Sequence, residues 1–336
     1  MRAAVVENNK FIMQALPRPM LEEFGEGAIV KVQGCGLCGS DIVKLKSNKP
    51  FDGMVLGHEV IGEIIEINSK TLFTKGSRVI LGHHIPCFSC GYCRGLSYSM
   101  CAHFKKTNII PGGFAEYIYV SEEHLNNTVF NAPAELSDIE ASFLEPLGCC
   151  VRAVKRAQIT DNSKNLILGL GSIGILMGQA VKAFGNKAYG CDLLEERVKL
   201  SKKFGFEKSF KLLDEEKTLE EMKKYAPLGF DTVFLTAGAA SALDFAVKAA
   251  RDGAKIIVFS SIKNDNGFKN NDIYYRELSV ISSYSSSPVD LEDSLHFLET
   301  GAVKVSGLSE TYSLENINQA VNDTLSNKIM KAYIKI

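Results

Sequence analysis

No run of about 20 apolar residues, the length a helix needs to cross a bilayer, occurs in this 336-residue chain. No sign of charge dominates either. Lys+Arg number 38 against 39 Asp+Glu, a net charge of −1, so no overall field favours nucleic acid or anionic lipid. No apolar core of signal-peptide length opens the chain before Glu7, Asn8 and Asn9, and the expectation is a cytoplasmic protein. Internal repeats and low-complexity linkers are also lacking, so any domain boundary must be read from pattern. What remains is ordinary for a soluble globular protein, 46% hydrophobic and 23% charged, and long enough for two domains with their own cores. Nine cysteines without an export signal suggest metal or catalysis before disulfides.

The pattern changes near residue 150. Up to about residue 130, short β-favouring runs at 28–32, 60–67, 78–81 and 115–120 alternate with Gly, Pro, Asn and Lys, as in a compact barrel or sandwich. Ser137 followed by Glu140 has the form of a capping box, and the helix it opens would carry Glu145 and Pro146. From Asn165, strands at 165–168, 188–191, 230–235, 255–259 and 279–282 alternate with helices at 172–184, 195–204 and 240–250. That rhythm predicts an α/β unit with a doubly wound parallel sheet. The tail is less regular, with helical segments at 291–299 and 314–325 and a last strand at 332–336.

Cys87, Cys90, Cys93 and Cys101 are spaced C-x2-C-x2-C-x7-C. Thiolates so spaced can converge on one ion at about 2.3 Å, and four of them close a tetrahedral structural zinc site with no open position. Two disulfides or an iron–sulfur cluster are the competing readings. The absence of export signals argues against the first, and the spacing departs from common cluster patterns.

Gly169, Gly171, Ser172, Ile173 and Gly174 lie in a G-x-G-x-x-G that follows a predicted strand and opens a predicted helix, and Asp192 ends the next strand. The glycines would let the backbone approach a pyrophosphate at the helix N-terminus, and Asp192 would accept hydrogen bonds from the adenosine ribose. Its charge would repel a 2′-phosphate, so NAD is expected over NADP. Arg197 would pack on the adenine side or stand as a solvated helix residue.

The stretch 34–59 joins a thiol, Cys38, to Ser40, Asp41, His58 and Glu59 among glycines. Thiolate, imidazole and carboxylate are zinc ligand types, and a catalytic zinc keeps one position open. A buried cysteine and a core histidine that never meet is the competing reading.

In that order, the cysteine, the G-H-E triplet, the four-cysteine box and the late G-x-G-x-x-G resemble the zinc-dependent medium-chain dehydrogenase/reductase superfamily over essentially the whole chain. The resemblance implies a GroES-like β-rich catalytic domain at 1–150, completed by 287–336, and a Rossmann NAD-binding domain at 151–286. It also implies two zinc ions per chain: a structural one at the cysteine box and a catalytic one with Cys38, His58, Glu59 and Glu145 as candidate ligands. Glu145 stands where polyol and threonine dehydrogenases place an acidic residue, which points to the polyol branch. Asp41 matches the carboxylate that orients the histidine ligand, and Ser40 the hydroxyl that takes the alcohol proton. Val43 and Lys44 depart from the His-Tyr of sorbitol-type members; the histidine relay is missing, and Lys44 is either a solvated surface residue or a sign of a phosphate or carboxylate on the substrate.

The activity so implied is hydride transfer from a secondary alcohol or polyol to NAD, in a cleft between the domains. L-threonine 3-dehydrogenase-like and sugar-alcohol-phosphate dehydrogenase activities are the alternatives, and an NAD-binding redox sensor is the non-enzymatic one. A small-molecule substrate, neither nucleic acid nor membrane, and a homodimer or homotetramer through an edge at 278–283 complete the expectation. The substrate pocket would draw on Lys44 and 282–286. Cys149, Cys150 and Cys191 are expected in cores, Cys35 beside the site without binding metal, and His83, His84, His103, His124 and His296 in surface or structural places.

Overall fold

A β-favouring apolar run, Ala28, Ile29 and Val30 followed by Val32, builds the strand Gly27–Leu37, which pairs with three others in the first part of the molecule. The structure is a computed structural model that describes residues 1–47, 51–239, 241–261 and 268–336. By density of contacts the chain falls into two units: Met1–Pro146 with Ser287–Glu299 and Val305–Ile336, and Leu147–Ser286 with Thr300–Lys304.

In the first unit a seven-stranded sheet runs in the order Glu310–Ser313, Ala332–Lys335, Gly27–Leu37, Glu59–Ile67, Arg78–Leu81, Val129–Asn131, with Tyr117–Ser121 also pairing to Gly27–Leu37. Neighbours are antiparallel except for Glu310–Ser313 beside Ala332–Lys335, which are parallel. The register Leu37↔Ala332 brings the chain's last strand against the end of Gly27–Leu37, where the site begins. Val30, Leu45, Ile64 and Phe114 are fully buried in one apolar cluster, and each such side chain contributes about 1.5–3 kcal/mol.

The second unit holds six parallel strands in the order Lys208–Lys211, Lys187–Asp192, Lys164–Leu168, Phe230–Leu235, Ala250–Val258, Ser279–Ser282. Numbered along the chain this is 3-2-1-4-5-6, the doubly wound dinucleotide-binding order, which reverses beside its first strand. The expected α/β class is what the chain adopts.

Several details differ from the sequence reading. The capping box at Ser137 forms, with Glu140 N–H donating to Ser137 Oγ (3.3 Å) and Ser137 N–H donating to Glu140 Oε2 (3.0 Å). That helix, however, stops at Ala141, and Glu145 lies in the next one, Leu144–Ala157. The strand Lys208–Lys211 and helix Glu215–Lys223 have no counterpart in the reading, because lysines and glutamates mask their periodicity. The helix read from residue 240 runs Ser241–Ala249; Ala240 itself lies outside the described residues. Among the described residues, no helix is long and apolar enough to cross a membrane.

Candidate functional site

Cys38 directly follows the strand Gly27–Leu37 and caps the next helix, Gly39–Leu45. Its backbone is extended (φ −83°, ψ 149°), and its Sγ accepts from Ser40 N–H at 3.5 Å, so the thiol is fixed by the cap that starts the helix. Asp41, fully buried, accepts Cys38 N–H at Oδ2 (3.1 Å) and Gly57 N–H at Oδ1 (3.4 Å), and Oδ1 also faces His58 Nδ1 at 3.4 Å. One carboxylate thereby ties the cysteine turn to the histidine turn and leaves His58 Nε2 as the nitrogen open to a metal.

One ligand atom each from Cys38, His58 and Glu59 lies within 4.8 Å of the others. Glu59 is 1% exposed, and its Oε1 has no hydrogen-bond partner among the described residues. Its Oε2 lies 2.5 Å from Lys331 Nζ, an ion-pair contact without hydrogen-bond angles. An ideal Cβ on Gly36 would lie 1.9 Å from that Oε2, so glycine is what admits the carboxylate. An orphaned buried carboxylate oxygen beside a thiol and an oriented imidazole fits a divalent cation. Glu145 is buried at the start of its helix, and its carboxylate lies outside this group of three. Ser40 and Lys44 are exposed on the helix Gly39–Leu45.

Burial would discourage charge on His58, but Asp41, then Cys38, outweigh it and hold the imidazole well above its usual pKa. Burial would likewise raise Asp41; His58 and then Lys44 prevail and hold it below the usual carboxylate value. Lys331, only 5% exposed, would be discharged by burial, yet Glu59, Cys38 and Glu145 keep it above the usual lysine value. Lys331 also lies 3.4 Å from the Leu37 carbonyl and 5.6 Å from the Phe143 ring centre. Sequence reasoning missed this lysine, whose place depends on a pairing 294 residues long. It also set His83 apart, whereas the His83 ring stands 4.6 Å from that of His58.

The four sulfurs of Cys87, Cys90, Cys93 and Cys101 also converge within 4.8 Å. Cys90 Sγ stands 3.5 Å and Cys87 Sγ 3.9 Å from Cys93 Sγ. Thiolates at about 2.3 Å from one ion sit about 3.8 Å apart at tetrahedral angles, so the donor set fits zinc. All nine cysteines are free thiols. The Ser89 hydroxyl and nearby backbone N–H groups lower Cys87 to about 5, while burial and the neighbouring sulfurs raise Cys93 to about 12. Cys35 is buried with its thiol directed to the Gly36 carbonyl (3.5 Å), and Cys150 and Cys191 are buried in the second unit.

In the second unit the strand Lys164–Leu168 turns through Gly169 (φ +95°) into the helix Ser172–Ala183. A Cβ on Gly174 would meet the Gly169 carbonyl at 1.8 Å, so strand and helix close tightly only with glycine there. Above Gly171 the nearest atom is an Arg197 nitrogen at 4.0 Å, and no side chain caps the helix. Open space over uncapped backbone N–H groups suits a pyrophosphate. Asp192 accepts Leu170 N–H (2.6 Å) and Leu194 N–H (2.8 Å), with Arg197 3.7 Å away. The acidic residue therefore braces the glycine turn itself, a part the sequence pattern alone did not assign to it.

Comparison with known proteins follows the same division. Residues 25–129 match the family described as alcohol dehydrogenase GroES-like domain, and residues 172–300 the family described as zinc-binding dehydrogenase. A sorbitol dehydrogenase of Bacillus subtilis is 30% identical, with 98% of this chain and 94% of the relative covered. Galactitol 1-phosphate 5-dehydrogenase of Escherichia coli is also 30% identical, with 89% of each covered. The crystal structure of galactitol-1-phosphate dehydrogenase from Escherichia coli superposes with a TM-score of 0.86 at 26% identity, covering 100% of both chains.

Proposed function

The chain belongs to the zinc-dependent medium-chain alcohol dehydrogenase superfamily, and on that premise we propose that it transfers a hydride from a secondary alcohol or polyol to NAD, giving a ketone. The observation that carries this reading is the convergence of Cys38, His58 and Glu59 with Asp41 behind the histidine. Polyol dehydrogenases among the relatives support the substrate class.

Each chain would hold two zinc ions, one at each donor cluster. Cys38, His58 and Glu59 would hold an ion that would supply Lewis acidity to lower the pKa of a hydroxyl. Asp41 holds His58 in the tautomer that binds through Nε2. Lys331 holds Glu59 by one oxygen and leaves the other for the metal, and Glu145 stands by as a further carboxylate. Ser40, two residues from Cys38, accepts the proton of the substrate hydroxyl; with Val43 and Lys44 following, no histidine on that helix carries it onward. NAD, bound at the glycine turn, would supply the hydride acceptor. Its pyrophosphate would rest on Gly169, Gly171, Ser172, Ile173 and Gly174, its ribose hydroxyls on Asp192, and its adenine against Arg197. The exposed edge strand Ser279–Ser282 would pair copies into a homodimer or homotetramer, which light scattering checks.

Protein purified without chelator should generate NADH absorbance with one or more members of a panel of polyols, sugar-alcohol phosphates and L-threonine. A His58→Ala variant should lose turnover and keep NAD binding; retained turnover would contradict the assignment. A second reading, a sugar-alcohol phosphate as substrate, is favoured by Lys44, an exposed cation whose field reaches Asp41, His83 and His84. Lys44→Ala should then raise KM for the phosphorylated substrate, and an unchanged KM would sink that reading.

A further inference from the structure

Four rings stand in series in the first unit. His58 lies 4.6 Å from His83, His83 lies 3.9 Å from His84, and His84 lies 4.8 Å from Phe104, each pair tilted by 43–45°. Both ends have a defined place: His58 belongs to the three-donor cluster, and Phe104 packs in the apolar cluster that holds Cys93 and Cys101. The middle is pinned from two sides. His84 Nδ1 donates to the Thr107 carbonyl (2.6 Å), at the end of the cysteine lobe, and the Ile85 N–H donates to Thr107 Oγ1 (2.9 Å). On the other side, His124 Nε2 donates to the His83 carbonyl (3.0 Å), and its Nδ1 accepts from the Ser121 hydroxyl (2.7 Å). The strap carrying His83 and His84 therefore cannot shift without disturbing the lobe or the helix Glu122–Asn127.

We infer that His83 is a positioning residue: through the tilted His84–Phe104 contact, the fold of the four-cysteine lobe sets the orientation of the His58 ring and so the metal affinity of the Cys38–His58–Glu59 site. Asp41 fixes the His58 ring at Nδ1 but leaves rotation about that contact open, and the His83 ring, tilted by 45° against it at 4.6 Å, restricts that rotation. Interactions one step behind a ligand are worth about 10–100-fold in metal affinity.

The inference rests on the metal site proposed above, and the test separates the two. The full chain is stripped of metal and titrated with Co2+, following ligand-field bands and affinity by chelator competition. Wild-type protein should fill a four-thiolate site and a mixed-ligand site. His83→Ala should weaken the mixed-ligand site by roughly tenfold or more and move its bands, with the four-thiolate site unchanged as an internal check of folding. His83→Phe, which keeps a ring in the stack, should restore affinity and bands. Phe104→Leu, which keeps apolar volume in the lobe but no ring, should shift the mixed-ligand bands in the same direction as His83→Ala. Unaltered affinity and bands in His83→Ala would overturn the inference, and a response to His83→Ala without one to Phe104→Leu would overturn the coupling to the lobe. Wild-type protein without mixed-ligand bands would overturn the metal site itself.

Discussion

At the scale of the residue, the donor cluster depends on a few buried charges that support one another. Asp41 touches both turns that carry ligands, so Asp41→Asn should weaken metal binding at Cys38–His58–Glu59 by about 10–100-fold with little change in the cysteine lobe. Competition with a chromophoric chelator checks this. Lys331 and Glu59 are both buried, and breaking such a pair costs about 3–5 kcal/mol because one charge is left alone. Lys331→Met should therefore lower the midpoint of urea unfolding of metal-free protein, and Lys331→Met with Glu59→Gln should recover part of the loss. An equal midpoint for Lys331→Met would show that the pair adds no stability. These residues were unequally legible. Cys38, Asp41, His58 and Glu59 stand close to glycines at short spacing, so chemistry and local pattern nominate them. Lys331 and His83 carry no local signal: one arrives by the pairing Leu37↔Ala332, the other by a packing contact between turns 25 residues apart in sequence.

At the scale of the element, the glycine turn is the most sequence-determined part of the molecule. Its strand, turn and helix are local, so the pattern places them correctly, and a parallel sheet follows from alternating strands and helices, while the order 3-2-1-4-5-6 includes a strand the pattern does not show. Where surface charge dilutes periodicity, as in Lys208–Lys211 and Glu215–Lys223, the same reasoning finds nothing. The helix opened at Ser137 shows a different limit, since a cap marks where a helix starts and says nothing of where it ends. Gly174→Ala would set a methyl group against the Gly169 carbonyl, with overpacking strain of about 1–3 kcal/mol. Calorimetry should find NAD affinity lowered by roughly tenfold or more, with zinc content unchanged. Wild-type affinity in that variant would contradict the reading of the turn.

At the scale of the whole molecule, stability is tied to buried neutral imidazoles as well as to metal. Burial, opposed by the Thr107 carbonyl, holds His84 at about 4 against an ordinary 6.5, and His83 and His124 are shifted the same way. Between those values the unfolded chain binds a proton that the folded chain refuses. The stability that His84 contributes is therefore complete above about 6.5 and is lost as pH falls toward about 4, and His83 and His124 act in the same direction. Thermal unfolding of metal-free protein should show a midpoint that falls on acidification through this window, and His84→Gln should flatten the fall; the same slope in both proteins would contradict it. Zinc per chain measured beside NADH formation decides whether the two donor clusters hold two zinc ions of different purpose. About two zinc ions are expected in the wild-type protein and about one in Cys38→Ala, with polyol-dependent NADH formed only by the former. One zinc in both proteins, with no turnover by either, would contradict that expectation.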